Sequence, residues 1–87
     1  MNNFTIIELA ATIGDYFKGF FESMECINRN GTLMFWGLRN GLQVNMVFDL
    51  SEINGLAYSF HHRLEDIKGS FIRQEQQLEL EKEKAAN

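Results

Sequence analysis

The chain has 87 residues, a formal net charge of −4, 45% hydrophobic residues, one cysteine and no proline. That length holds one domain, and the composition excludes an intramolecular disulfide and a protein that binds nucleic acid chiefly by neutralising phosphates. A chain this short buries only about 60% of its unfolded surface, so association with a second copy is an expected remedy for a marginal core.

Ile6, Ala10, Ile13, Phe17, Phe20, Met24 and Ile27 recur three and four apart, which predicts a helix from Ile6 to about Ile27 with one apolar seam. Thr5 followed by Glu8 has the spacing of a capping box, and Phe4 with Leu9 that of a hydrophobic staple. Gly14 and Gly19 each weaken such a helix by about 1 kcal/mol relative to Ala. They point either to close approach of another element or to a kink. Glu8, Asp15 and Glu22 recur every seven residues, with Glu25 beyond them. Seven residues span about 10.5 Å of helix axis, so these carboxylates form a predicted acidic stripe. The stripe is either a solvated face paired locally with Lys18 or a docking surface for a basic partner, such as a protein whose basic groove holds nucleic acid. Cys26 reads as a small buried hydrophobe near the helix end, without the flanking cations that would activate its thiol.

Asn28 to Gly31 ends the helix and turns the chain. Two apolar runs come next, Thr32 to Arg39 and Leu42 to Phe48, separated by Asn40-Gly41. That dipeptide predicts a two-residue hairpin loop, because both loop residues need positive φ. Counting outward from it places Arg39 opposite Leu42, Gly37 opposite Val44, Phe35 opposite Met46 and Leu33 opposite Phe48. One face then carries Leu33, Phe35, Leu42, Val44, Met46 and Phe48, the expected core. The other carries Met34, Trp36, Leu38 and Val47 beside Gln43 and Asn45, too apolar for a face left in water. These four apolar residues are the candidate self-association surface.

A second helix is expected to start near Asp49 to Ile53, capped by Asp49 with Glu52 or slightly later by Asn54. Its seam is Ile53, Ala57, Phe60, Leu64, Ile67 and Phe71. Residues 74–87 keep helical composition without the stripe and read as a polar helical extension expected to fray, with a short coiled-coil contact through Leu78 and Leu80 as the minor alternative. The whole is an α+β domain over residues 1–73, in helix, strand, strand, helix order, with both helices on one face of a two-stranded hairpin completed by dimerisation.

Chemistry-bearing patterns are few. His61 with Glu65 and His62 with Asp66 are i, i+4 pairs, but adjacent histidines point about 100° apart on a helix, and each pair supplies at most two of the ligands a zinc ion needs. No metal or cofactor is expected. Ser23, Ser51, Ser59 and Ser70 lack the glycine-flanked elbow of a nucleophile, and the glycine in Asn54 to Tyr58 lacks a phosphate loop's Lys. Trp36 near Arg39 and Arg29 would suit base stacking, yet no basic stripe accompanies it. No window approaches the ~20 apolar residues of a membrane span, and no basic leader precedes the first apolar run, so a reducing cytoplasm is the expected compartment.

The expectation from sequence is a small, acidic, non-enzymatic homodimer that acts as an inhibitor or adaptor on a second, basic protein partner. Inhibitors encoded by phages and other mobile elements share this size and character, an analogy of composition alone. A dimeric nucleic-acid-binding regulator using the hairpin aromatics is the first alternative. A small enzyme with a site around His61, His62 and Glu65 at a subunit interface is the second.

Overall fold

The computed structural model describes residues 2–86. It holds helix α1 (Ile6–Tyr16), strands β1 (Ser23–Arg29), β2 (Thr32–Arg39) and β3 (Leu42–Asp49), a short helix α2 (Leu50–Asn54) and a long helix α3 (Phe60–Ala86). The strands form one antiparallel sheet in the order β1-β2-β3. The α+β class agrees with the sequence reading, but the sheet has three strands where two were expected.

Helix α1 opens on the expected capping box. The Thr5 hydroxyl accepts from the Glu8 amide at 3.2 Å, and the Glu8 carboxylate accepts from the Thr5 amide at 3.1 Å. The helix stops eleven residues before its predicted end at Ile27, with Phe17 as C-cap and Gly19 at φ +83° turning the chain back. Phe20 and Met24 continue the helical spacing by coincidence; the chain runs on as strand β1, with Met24 and Cys26 alternating toward the helices. Neither Gly14 nor Gly19 marks a close approach, since nothing lies within 4 Å of an added Cβ at either. Gly37 does: a Cβ there would lie 2.8 Å from the ring of Phe21.

Two Asn-Gly turns build the sheet. Asn30 and Gly31 have φ of 53° and 85°, and Asn40 and Gly41 have 52° and 78°, the left-handed pair that a two-residue hairpin matched to strand twist requires. The register of β2 with β3 is the one counted from sequence: Arg39↔Leu42, Gly37↔Val44, Phe35↔Met46 and Leu33↔Phe48. The first turn adds Arg29↔Thr32 through Ser23↔Leu38.

The core lies between the inner sheet face and the helices. Leu33, Phe35, Met46 and Phe48 are buried against Leu9, Ile13, Phe17, Phe21, Ile53, Phe60 and Leu64. Leu42, expected in this core, is exposed because it sits beside the hairpin tip, and Cys26, also expected to be buried, is exposed on the edge strand. The predicted second helix is broken at Gly55, so Ile53 belongs to α2 and Ala57 to the connection. Asp49 caps α2 by accepting from the Glu52 amide at 3.1 Å. The break is held by the N-terminal arm. The Asn2 side chain donates to the carbonyls of Ile53 (3.2 Å) and Tyr58 (3.0 Å) and accepts from the Phe60 amide (3.0 Å). Asn54, a candidate cap, instead exchanges two hydrogen bonds with the Phe4 backbone.

Helix α3 has 27 residues, about 40 Å at the helical rise. Phe60, Leu64, Ile67 and Phe71 pack on the core, while Leu78 and Leu80 are exposed further along. Of the extension read over 74–87, residues 74–86 continue α3, and Asn87 lies outside the described residues.

Gly37→Ala is expected to destabilise the fold by about 1–3 kcal/mol, the cost of forcing a core aromatic aside. Gly14→Ala, in an open helical position, should be neutral or stabilising by up to about 1 kcal/mol. Urea unfolding of the two variants separates these outcomes.

Candidate functional site

The side chains that point away from the helices form four rows across the sheet. Counting along the paired registers, they are Ser23–Leu38–Gln43, Glu25–Trp36–Asn45, Ile27–Met34–Val47 and Arg29–Thr32–Asp49. Alternation places one side of each strand outward, and in a sheet covered on one face these positions are ordinarily polar. Here the centre is apolar. Ile27 is 51% exposed, Val47 65% and Leu38 37%, with Met34 and Trp36 half-buried between them. The structure thus brings Met34, Trp36, Leu38 and Val47 onto one surface and adds Ile27, which a helical reading of residues 23–27 had assigned to a helix seam. The signal was present in the sequence: Asn30-Gly31 between apolar runs is the same hairpin signature as Asn40-Gly41.

The acidic residues do not form one stripe. Glu8 and Asp15 lie exposed on α1. Glu22 lies past the helix end, and its carboxylate accepts from the Asn40 amide at 2.7 Å, joining the β1 entry to the tip of the second hairpin. Glu25 stands on the outer sheet face beside Trp36. The seven-residue spacing therefore has no helical meaning beyond Asp15.

Arg39, read as a neighbour of outward Trp36, lies on the inner side with Gly37 and Phe35. Its guanidinium pairs with Glu75 of α3, donates to the Phe20 carbonyl at 2.6 Å and sits 3.9 Å over the Phe20 ring. It pins α3 to the sheet, so the outer face keeps Arg29 against Glu25 and Asp49 and has no basic character.

His61 Nε2 meets Glu65 at 2.8 Å, both exposed, and the imidazole packs edge-on to Tyr16 with ring centroids 5.4 Å apart. Partial burial, and then the nearby Glu65 carboxylate, hold the Tyr16 hydroxyl above its ordinary pKa. Tyr16 and His61 border an open groove of about 480 Å³ between α1 and the start of α3, which Asp15 and Ser59 also line. Among the described residues no group of three or more His, Cys, Asp or Glu is placed to hold a metal ion, and no helix is long and apolar enough to cross a membrane.

Partial desolvation by its neighbours on the strand raises the exposed Cys26 thiol above its usual pKa, which lowers the thiolate fraction near neutral pH. Alkylation of Cys26 by iodoacetamide at pH 7.5 should therefore be slower in the folded protein than in urea, with the difference narrowing as pH rises through the thiol range.

Comparison with protein-family models, with curated proteins and with solved structures gives no match.

Proposed function

We propose that this chain is a small non-enzymatic protein-interaction module that self-associates through the outer face of its sheet and serves as an inhibitor or adaptor for a second protein. The observation that carries the reading is the apolar row Ile27–Met34–Val47, flanked by Trp36 and Leu38, on the side of the sheet away from the helices. Burying one large apolar side chain is worth about 1.5–3 kcal/mol, so a face with several of them has reason to be covered.

A second copy fits this face by its own pattern. Stacking two sheets about an axis parallel to the strands sets Ile27 over Val47 of the second copy, Met34 over Met34, and Arg29 over Asp49. The apolar row meets itself and opposite charges meet at its end, as an isologous contact requires. Glu8 and Asp15 stay exposed on α1, which packs on the other side of the sheet, and are free to steer a basic partner protein. A nucleic-acid role for the hairpin aromatics finds less support, since Glu25 flanks Trp36 and Arg39 is engaged with Glu75.

The test is sedimentation over a concentration series. Trp36→Asp places a carboxylate in the contact and is expected to lower the sedimenting mass while leaving the circular dichroism unchanged. A variant that sediments as the wild type removes the outer face from the interface.

A further inference from the structure

We infer that the free edge of β1 is a second association surface, which pairs antiparallel with β1 of another copy about a two-fold axis through Cys26. Two three-stranded sheets then join into one of six strands. This contact uses a different surface from the outer face and stands or falls separately from it.

Three observations lead to this edge. The first is an uncovered ledge. Cys26 and Asn28 point to the same side as their cross-strand partners Phe35 and Leu33, which are 3% and 2% exposed, yet both are themselves exposed. The helices cover β2 and β3 and reach β1 only at Met24, which is half-buried against the core. At the opposite edge the inward residues Met46 and Phe48 are buried and α2 comes directly after the strand, so β1 is the edge that a second domain can approach without meeting helices.

The second observation is the hydrogen-bonding sense of the strand. A two-residue loop makes its flanking pair, Arg29 and Thr32, a hydrogen-bonded pair, and such pairs alternate along an antiparallel ladder. Ile27, Glu25 and Ser23 therefore bond to β2, and Met24, Cys26 and Asn28 present their amides and carbonyls outward. No proline or lysine protects this edge, where natural sheets commonly place one.

The third is the register. β1 has seven residues with Cys26 at its centre. Pairing about Cys26 puts Met24 opposite Asn28 of the second copy and Cys26 opposite Cys26, so every outward backbone group is used, about six hydrogen bonds in all. On the outer side Glu25 faces Ile27 and Arg29 faces Ser23, with Arg29 of the second copy diagonal to Glu25. No like charges stand directly opposed. Pairing about Ile27 instead would leave Met24 without a partner.

Such a two-fold axis is perpendicular to the sheet and keeps both outer faces on one side, so edge pairing and face stacking are compatible; because stacking sets β1 over β3 of the covering copy, the two axes do not intersect and the combined assembly is an open run of chains. The wild type is then expected to sediment above the dimer, with a mass that grows with concentration. Cys26→Pro removes an outward amide that bonds nothing within the chain, a position where an edge strand tolerates proline. It should stop growth at a face-stacked dimer with unchanged circular dichroism, whereas Trp36→Asp stops it at the edge-paired dimer. In the wild type, dibromobimane should bridge two chains through their Cys26 sulfurs, each displacing one bromide. A folded Cys26→Pro variant with wild-type mass overturns the edge contact and leaves the outer face untouched. So does failure to bridge chains whose Cys26 reacts fully with a maleimide. Bridging between wild type and a Cys26→Ser, Asn28→Cys double variant, without bridging in the wild type alone, overturns the Cys26 register in favour of the one about Ile27.

Discussion

The packing of the Phe21 ring against the bare backbone of Gly37 is the contact on which the architecture depends. Only glycine lets an aromatic ring lie this close to the middle of β2, with an added Cβ at 2.8 Å. The contact explains why the chain leaves α1 at Phe17 rather than running on as helix. Phe17, Phe20 and Phe21 must all turn inward within a few residues, and a continuous helix would spread adjacent Phe20 and Phe21 about 100° apart. Their rings pack on one another, with Phe20 to Phe21 at 5.0 Å and Phe17 to Phe21 at 5.3 Å. The reversal that satisfies them delivers residues 23–29 to the edge of β2 as a strand.

The same turn creates the anchor for α3. Phe20 offers both its carbonyl and its ring to Arg39, and Arg39 reaches Glu75 on the long helix. Phe71 stacks on Phe20 and meets Phe21 edge to face. Exposed ion pairs contribute little on their own. This one is partly buried and shares its cation with a carbonyl and an aromatic face, so it fixes the direction of α3 across the inner side of the sheet more than it adds to stability. At the other end the Asn2 side chain satisfies backbone groups around the α2–α3 connection, where a helix break would otherwise leave them without partners, and Asn54 ties the end of α2 to the Phe4 backbone.

All of the covering elements lie on one side. Three strands with helices on a single face have an outer face and two edges to account for, and in this chain the outer face is apolar at its centre while β1, apart from Met24, is exposed on both sides. An apolar outer face and an open edge strand are the features on which the proposed self-association rests. The groove at Tyr16 and His61 is open, and the ion pair beside it is an exposed i, i+4 contact.

Local chemistry was legible in the residues. The Thr5 capping box, the Asp49 cap, the Asn40-Gly41 turn with its register, and the outward set Met34, Trp36, Leu38 and Val47 each depend on neighbours within a few positions or on counting from a turn, and the structure places each as read. Residues 17–29 were not legible in that way, because Phe17, Phe20, Met24 and Ile27 satisfy helical spacing while Met24, Cys26 and the Asn30-Gly31 turn satisfy a strand. The sequence by itself determined the α+β class, the cap positions and the hairpin register, since these depend on short-range sterics and hydrogen bonding. Only the tertiary structure decided the end of α1, the third strand, the inward course of Arg39 and the break before α3, because each is settled by a contact between residues far apart in the chain: Phe21 with Gly37, Arg39 with Glu75, and Asn2 with Phe60.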